Sequence, residues 1–216
     1  AAYDVQAGAK YHQAKIYELA AESGHFEHEA NQSSIASMQQ AAAIYQKAFS
    51  TFKDSDPATP SSELYEYRLN LVSRILTYWS EAHIHLAHKA QQRGNQLQMS
   101  AFGKGAESTG EYMVIATPNS MVQAFEGGDK YDESKIMEAL QAYDESIEHL
   151  HAVGHIYFAA KNAGVELDEQ KFLRIPAMNL MSILGAAAII SKRIGNEDLS
   201  QEYTHGRTDL SEKYVQ

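Results

Sequence analysis

Apolar side chains recur at steps of three and four residues along this chain, and that spacing restricts how it can fold. The clearest series comprises Ile35, Met38, Ala42, Tyr45, Phe49 and Phe52. Residues at these steps share one face of an α-helix, so the series predicts a helix with a single apolar seam. Small polar residues and Pro57 end it.

The same periodicity, combined with helix start and stop signals, predicts further helices. Their ranges are 5–24, 61–94, 136–164 and 168–194, the last kinked or restarted at Pro176. In the helix over 61–94, the seam places His83 in the core. In the helix over 136–164, Gly154 is expected to let a neighbouring backbone approach closely.

No β-hairpin signal is convincing, so the predicted fold class is all-α, either a helical bundle or a short stack of antiparallel helical hairpins. We expect a single all-α domain over 1–216. A Gly-, Ser- and Gln-rich stretch predicts a flexible loop around 94–111. A polar C-terminal tail is expected around 199–216.

Two segments carry a pattern seen in helical repeats. Ala41-x3-Tyr45-x2-Ala48 and Ala139-x3-Tyr143-x2-Ser146 resemble the second-helix signature of tetratricopeptide repeats. The resemblance implies TPR-like packing as one arrangement within the all-α class. The glycine expected upstream is missing from both segments, so we interpret the pattern as shared helical-hairpin chemistry and not as family membership.

Charge and cysteine content exclude several classes of function. Eighteen basic and twenty-eight acidic residues give a net charge of −10, which disfavours nucleic acid and anionic membranes as partners. A protein or peptide is the expected partner, and no oligomeric state is predicted. The absence of cysteine excludes disulfides, thiolate metal sites and cysteine nucleophiles.

Two further features concern the compartment. The chain begins with Ala1 and Ala2, as a mature exported protein or a trimmed chain would, and we favour a periplasmic or secreted location over a cytoplasmic one. The longest apolar stretch, 175–190, is shorter than the ~20 residues that a membrane helix needs and contains Pro176. We therefore predict a buried central helix and no transmembrane segment.

Histidines and acids recur at helical spacing in two places. One set is Glu81, His85 and His88, and the other is Asp144, Glu148, His151 and His155. Each set projects carboxylates and imidazoles from one helix face. Such a face can ligate a metal, and the candidate metal ligands are Glu81, His85, His88, Glu148, His151 and His155, holding one transition-metal ion (Zn, Cu or Fe).

Competing interpretations of these sets remain open. A di-iron site of the ferritin type needs a Glu-x-x-His on two helices, and only Glu148 and His151 supply one. Solvated helix faces account for both sets without a metal, because the second set lies one step beside the apolar seam. Clustered imidazoles beside carboxylates would also serve as a pH sensor.

The function hypothesis rests on clean helical seams and the lack of a recognisable catalytic set. We expect a non-enzymatic helical binding or scaffolding protein that acts through a helical groove. The alternative is a metal-binding helical bundle, as metal carrier or redox site, using the His/Glu stripe. Tyrosines on the seams, such as Tyr45 and Tyr143, are expected in the core, whereas Tyr65 and Tyr67 are candidates for partner contact.

Overall fold

The predicted seams form helices in the computed structural model, which describes residues 2–23, 27–53, 62–101 and 131–214. All regular secondary structure in these ranges is helical, so the all-α fold class is confirmed. The helices are α1 (Ala2–Glu22), α2 (Glu27–Lys53), α3 (Ser62–Ala101), α4 (Glu133–Asn162), α5 (Ile175–Arg193) and α6 (Glu197–Tyr214). A π-helical segment, Gln170–Arg174, directly precedes α5.

One helix boundary differs from the sequence prediction. Helix α3 continues past Gly94 to Ala101, so the first part of the loop predicted at 94–111 is helical. Gly94 is buried within α3, where packing against Tyr143 outweighs the low helix propensity of glycine. The remainder of that predicted loop lies outside the described residues. The polar tail expected around 199–216 belongs largely to α6.

Glycines end α4 and α5 as predicted. Gly164 and Gly195 have φ angles of 73° and 79°, a left-handed conformation that costs glycine little. Behind each glycine the next amide closes the helix, with Val165 N donating to Ala160 O at 2.9 Å and Asn196 N donating to Ser191 O at 2.9 Å. Pro176 lies in the first turn of α5. Just before it the predicted helix changes from π-helix to α-helix, but Arg174 keeps helical φ and ψ angles of −68° and −49°, so the backbone continues without a break.

The chain divides into two compact units. Unit 1 comprises Ala1–Leu86 and Ala152–Leu173, and unit 2 comprises Ala87–His151 and Arg174–Gln216. Helices α3 and α4 therefore contribute residues to both units. The single domain expected over 1–216 stays a prediction.

Unit 1 is built on an antiparallel hairpin of α1 and α2. The Ser34 hydroxyl on α2 donates to Ala14 O on α1 at 3.0 Å. Nearer the start of α1, the Tyr45 hydroxyl lies 3.9 Å from the position that a Cβ would take at Gly8. The fully buried side chains in this unit include Met38, Tyr45, Val72, Leu76 and Val153.

Unit 2 packs the end of α3 and the start of α4 with the α5–α6 hairpin. Its apolar core includes Ile136, Tyr143, Ile183, Ala187 and Ile190. Small residues at the centre of α5 allow close packing, since a Cβ at Gly185 would lie 3.2 Å from the Arg207 guanidinium on α6. Ser200 Oγ on α6 donates to Ala188 O on α5 at 2.9 Å.

The segments that resemble tetratricopeptide repeats face the cores of their units. All residues of both patterns are buried: Ala41, Tyr45, Ala48, Ala139, Tyr143 and Ser146. The prediction that Tyr45 and Tyr143 are core residues is therefore confirmed. Each pattern thus buries two small residues and one aromatic residue on one helix face. Such a face packs closely against a neighbouring helix, as in helical hairpins.

Among the residues that the structure describes, one helical run meets the length and composition that a membrane span needs. It covers Gln170–Arg193, and 61% of its apolar window is buried within the protein. Because a core helix meets the same criteria, this finding is weak evidence for a span. Ile183, Ala187 and Ile190 are almost fully buried, as expected of the predicted central helix.

Candidate functional site

The acid and histidine row on α4 faces outward. Asp144, Glu148, His151 and His155 are all exposed. Asp144 accepts a hydrogen bond of 2.6 Å from the Tyr203 hydroxyl on α6 and so fastens α6 to α4 within unit 2. The row is arranged as a polar helix face, in line with the solvated interpretation.

Glu81 on α3 has partners on both carboxylate oxygens. The Tyr11 hydroxyl on α1 donates to Oε2 at 3.0 Å, and the Lys171 ammonium lies 2.6 Å from Oε1. Burial, and then the charge of Glu81, raise the pKa of Tyr11 above its ordinary value, which keeps the hydroxyl protonated as a donor. Glu81 would have to leave these partners to bind a metal.

His85 on α3 is a buried residue with polar groups at both ring nitrogens. Its Nδ1 lies 3.4 Å from Glu18 Oε1 on α1, and its Nε2 lies 3.4 Å from the Ser34 hydroxyl on α2. The side chain is 8% exposed. A metal would therefore need His85 to rotate away from Glu18 and Ser34.

The burial of His83 and His85 is the reverse of what the apolar seam of the sequence predicts. His83 is only partly buried and lies beside the Trp79 ring, whereas His85 is buried among α1 and α2. The prediction for His83 as a core residue is thus wrong. The apolar side of α3 is broader than one seam, and the neighbours in unit 1 lie nearer the His85 side.

The six predicted metal ligands are divided between the two units: Glu81, His85 and His155 belong to unit 1, and His88, Glu148 and His151 belong to unit 2. Within the described ranges, no group of three or more histidine and acidic side chains is placed to hold a metal ion. Glu81 and His85 point to partners in unit 1, His88 is half-buried, and the α4 members are exposed. The metal hypothesis stays a prediction.

Among the other histidines, His149 on α4 is half-buried beside the exposed row. Burial lowers its pKa, although the carboxylates of Glu148 and Glu145 act in the opposite direction. A depressed histidine pKa makes stability fall as the pH drops below the ordinary value of about 6.5, since the unfolded chain then takes up protons first. The pH-sensor hypothesis stays a prediction.

A series of polar contacts between α1 and α3 was missed by the sequence analysis. Asp4 pairs with Arg74, Tyr11 with Glu81, and Glu18 with His85. We call these contacts the α1–α3 polar ladder. The residue numbers of the partners increase in the same order on both helices, so α1 and α3 run parallel. The sequence signal was the seven-residue spacing of Asp4, Tyr11 and Glu18, which places them on one helix face.

The α1–α3 polar ladder is partly buried, and its buried carboxylate is paired with a cation. Asp4 is 6% exposed, and its carboxylate accepts from the Arg74 guanidinium. The hydrogen bond and the charge of Asp4 raise the pKa of Arg74. Because an unpaired buried carboxylate would be costly, the ladder fixes how α1 lies against α3.

The face of α1 that lies opposite its buried alanines exposes large aliphatic residues. Val5, Ile16 and Leu19 are 71%, 66% and 65% exposed, respectively. Meanwhile Ala7 and Ala14, on the buried face, are 0% exposed. We define the outer face of α1 as Val5, Ala9, His12, Ile16 and Leu19, all of them exposed.

The outer face carries no ionised acid, lysine or arginine. The charged residues of α1 are Asp4, Lys10, Lys15, Glu18 and Glu22, which lie elsewhere on the helix. Among these, Lys15 and Glu18 form an ion pair of 2.6 Å. A protein with a net charge of −10 therefore presents an uncharged, largely apolar helix surface about 21 Å long.

Two other surfaces differ from the outer face of α1. A cavity of about 450 Å³ in unit 1 lies beside the turn after α4, and Tyr157, Lys161, Glu166 and Glu169 contribute to its lining. Its charges are mixed and it is open to solvent, so it lacks a distinct apolar anchor site. Of the tyrosines predicted for partner contact, Tyr67 is 61% exposed, while the side chain of Tyr65 lies outside the described residues.

Comparison with known proteins yields no relative: no family model, no curated protein and no solved structure matches this chain.

Proposed function

We propose that this chain is a non-enzymatic helical binding or scaffolding protein, and that it binds a protein or peptide through the outer face of α1. The observation that carries the proposal is the orientation of α1. Ala7, Ala14 and Ala21 face the core, while Val5, Ile16 and Leu19 face outward. A surface helix usually does the opposite and buries its large apolar side chains.

The energetics favour a docking role for this face. Full burial of a valine, leucine or isoleucine side chain contributes about 1.5–3 kcal/mol. The protein gains little of this from Val5, Ile16 and Leu19, since each is more than half exposed. A partner that covers them would gain it instead, which is the usual basis for an apolar docking surface.

The proposed surface is a helix face, which modifies the groove expected from the sequence. Its apolar positions lie three and four residues apart, as in helices that insert into a partner's groove or pair with another helix. The missing charges fit an apolar partner surface, because no charged group would have to lose its water on binding.

The test compares substitutions on α1 with matched substitutions elsewhere. Ile16→Glu combined with Leu19→Glu adds two charges to the outer face. Met137→Glu combined with Met178→Glu adds the same charges at residues that are 51% and 57% exposed. We expect the α1 variant to lose a partner that the unmodified chain and the control variant both retain.

The readout is quantitative capture of bound proteins from the native source, with circular dichroism confirming that each variant stays folded. Loss of binding in both variants would point to net charge and away from α1. Equal retention by all three chains would overturn the proposal, and so would the absence of any specific partner, a second copy of the chain included.

A further inference from the structure

The outer face of α1 has the repeat of a coiled-coil seam. Its members, Val5, Ala9, His12, Ile16 and Leu19, follow one another at steps of four, three, four and three. This is the spacing by which one helix packs along another. The occupant that fits such a seam best is therefore a second helix.

We infer that this helix is α1 of a second copy of the chain, paired antiparallel about His12. The inference rests on the proposed function and names its partner. In this register Val5 lies opposite Leu19 of the second copy and His12 opposite His12. Ala9 lies within one residue, about 1.5 Å along the axis, of the position opposite Ile16. The interface is isologous, as a twofold dimer requires.

Side-chain size selects the antiparallel direction. Antiparallel pairing places a small residue, Ala9, opposite a large one, Ile16, so each layer has a similar total volume. Parallel pairing would place Ala9 opposite Ala9 and Ile16 opposite Ile16. That leaves one layer underfilled and the next crowded, and both faults cost stability.

Charge selects this face for self-association. Two copies, each with a net charge of −10, repel one another over most of their surfaces. The outer face of α1 carries no formal charge at neutral histidine, so approach there has the smallest penalty. The adjacent Lys15 is already paired with Glu18 at 2.6 Å.

The absence of cysteine makes a cross-linking test clean. His12→Cys places one thiol at the symmetry axis, and mild oxidation should link the two copies into a disulfide dimer. Val5→Cys alone should not, because the two thiols would stand about 21 Å apart. Val5→Cys combined with Leu19→Cys should restore the cross-link.

Sedimentation of the unmodified chain supplies the non-covalent readout. We expect a concentration-dependent dimer that becomes a monomer with Ile16→Glu and persists with the control Met137→Glu. A chain that stays monomeric up to about 1 mM would overturn the inference. Cross-linking of Val5→Cys as fast as His12→Cys would also overturn it.

Failure of the dimer and failure of the proposed function give different results. If the chain is monomeric but the α1 variant still loses a different captured protein, self-pairing fails and the binding function stands. If the chain dimerises and Ile16→Glu has no effect on the dimer, both the pairing and the role of this face in it are wrong.

Discussion

Glu18 on α1 and His85 on α3 meet inside unit 1, with Glu18 Oε1 lying 3.4 Å from His85 Nδ1. This contact is one rung of the α1–α3 polar ladder. His85 is 8% exposed and also contacts the Ser34 hydroxyl on α2, so a single side chain joins α1, α2 and α3. His85, which the sequence suggests as a metal ligand, thus holds three helices of unit 1 together.

His85→Ala is expected to lower the free energy of unfolding by about 1–3 kcal/mol, because Glu18 and Ser34 would lose their buried partner. Urea unfolding followed by circular dichroism measures this. The exposed His155 provides the control, and His155→Ala should change stability by less than about 0.5 kcal/mol. Equal effects at both positions would contradict the structural role of His85.

Gly94 and Gly154 should respond oppositely to alanine. A Cβ at Gly94 would lie 2.7 Å from Tyr143 Cε1, and that ring is held by hydrogen bonds of 2.8 Å to Asn95 and 2.7 Å to Gln98. The clash should cost about 1–3 kcal/mol and exceed the gain in helix propensity of about 1 kcal/mol.

At Gly154 a Cβ would meet nothing within 4 Å. The prediction that a neighbouring backbone approaches Gly154 closely is therefore wrong. Gly94 has a close neighbour instead, which is the Tyr143 ring. Gly154→Ala should stabilise the protein by about 0.5–1 kcal/mol. Thermal and urea unfolding of the two variants test the pair. Stabilisation by Gly94→Ala would contradict the packing around Tyr143.

Stability is expected to fall above about pH 10. Burial raises the pKa of Tyr143 and of Tyr45 above the ordinary tyrosine value of 10.0. Since the folded pKa is the higher one, the unfolded chain releases these protons first as the pH rises. The stabilisation that depends on these protonated hydroxyls is fully present below about pH 10 and decreases as the pH rises further.

Urea midpoints measured between about pH 8 and 11 test this direction. Tyr143→Phe should flatten the alkaline decrease. Tyr67→Phe, at a position 61% exposed, is the matched control. A midpoint that rises with pH in this range would contradict the prediction.

The two faces of α1 should show reversed sensitivity to apolar side-chain size. Ala14→Leu adds volume at a 0% exposed position and should cost about 1–3 kcal/mol. Ile16→Ala removes a larger apolar group at a 66% exposed position and should change stability by less than about 0.5 kcal/mol. Unfolding in urea measures both, and a large loss with Ile16→Ala would show that the outer face is packed within the protein.

The metal hypothesis has a direct test. If Glu148, His151 and His155 ligate a metal with the α3 set, untagged protein should contain about one equivalent of Zn, Cu or Fe. His151→Ala combined with His155→Ala should remove it. A metal-free protein whose melting temperature does not change when these ions are added would reject the hypothesis.

The sequence by itself determined the helices and several of their ends. The seam through Met38 and Tyr45 predicted α2, and Gly164 and Gly195 marked the ends of α4 and α5. These features are local, because helix hydrogen bonds and left-handed glycines depend on residues a few positions apart.

Only the tertiary structure decided which helix faces are covered. His85 is buried and His83 is less so, because α1 and α2 lie on the His85 side of α3. Helix α1 carries alanines on one face and large apolar residues on the other, and its sequence is compatible with burial of either. Close packing and the paired charges of the α1–α3 polar ladder bury the alanine face, leaving Ile16 and Leu19 outside.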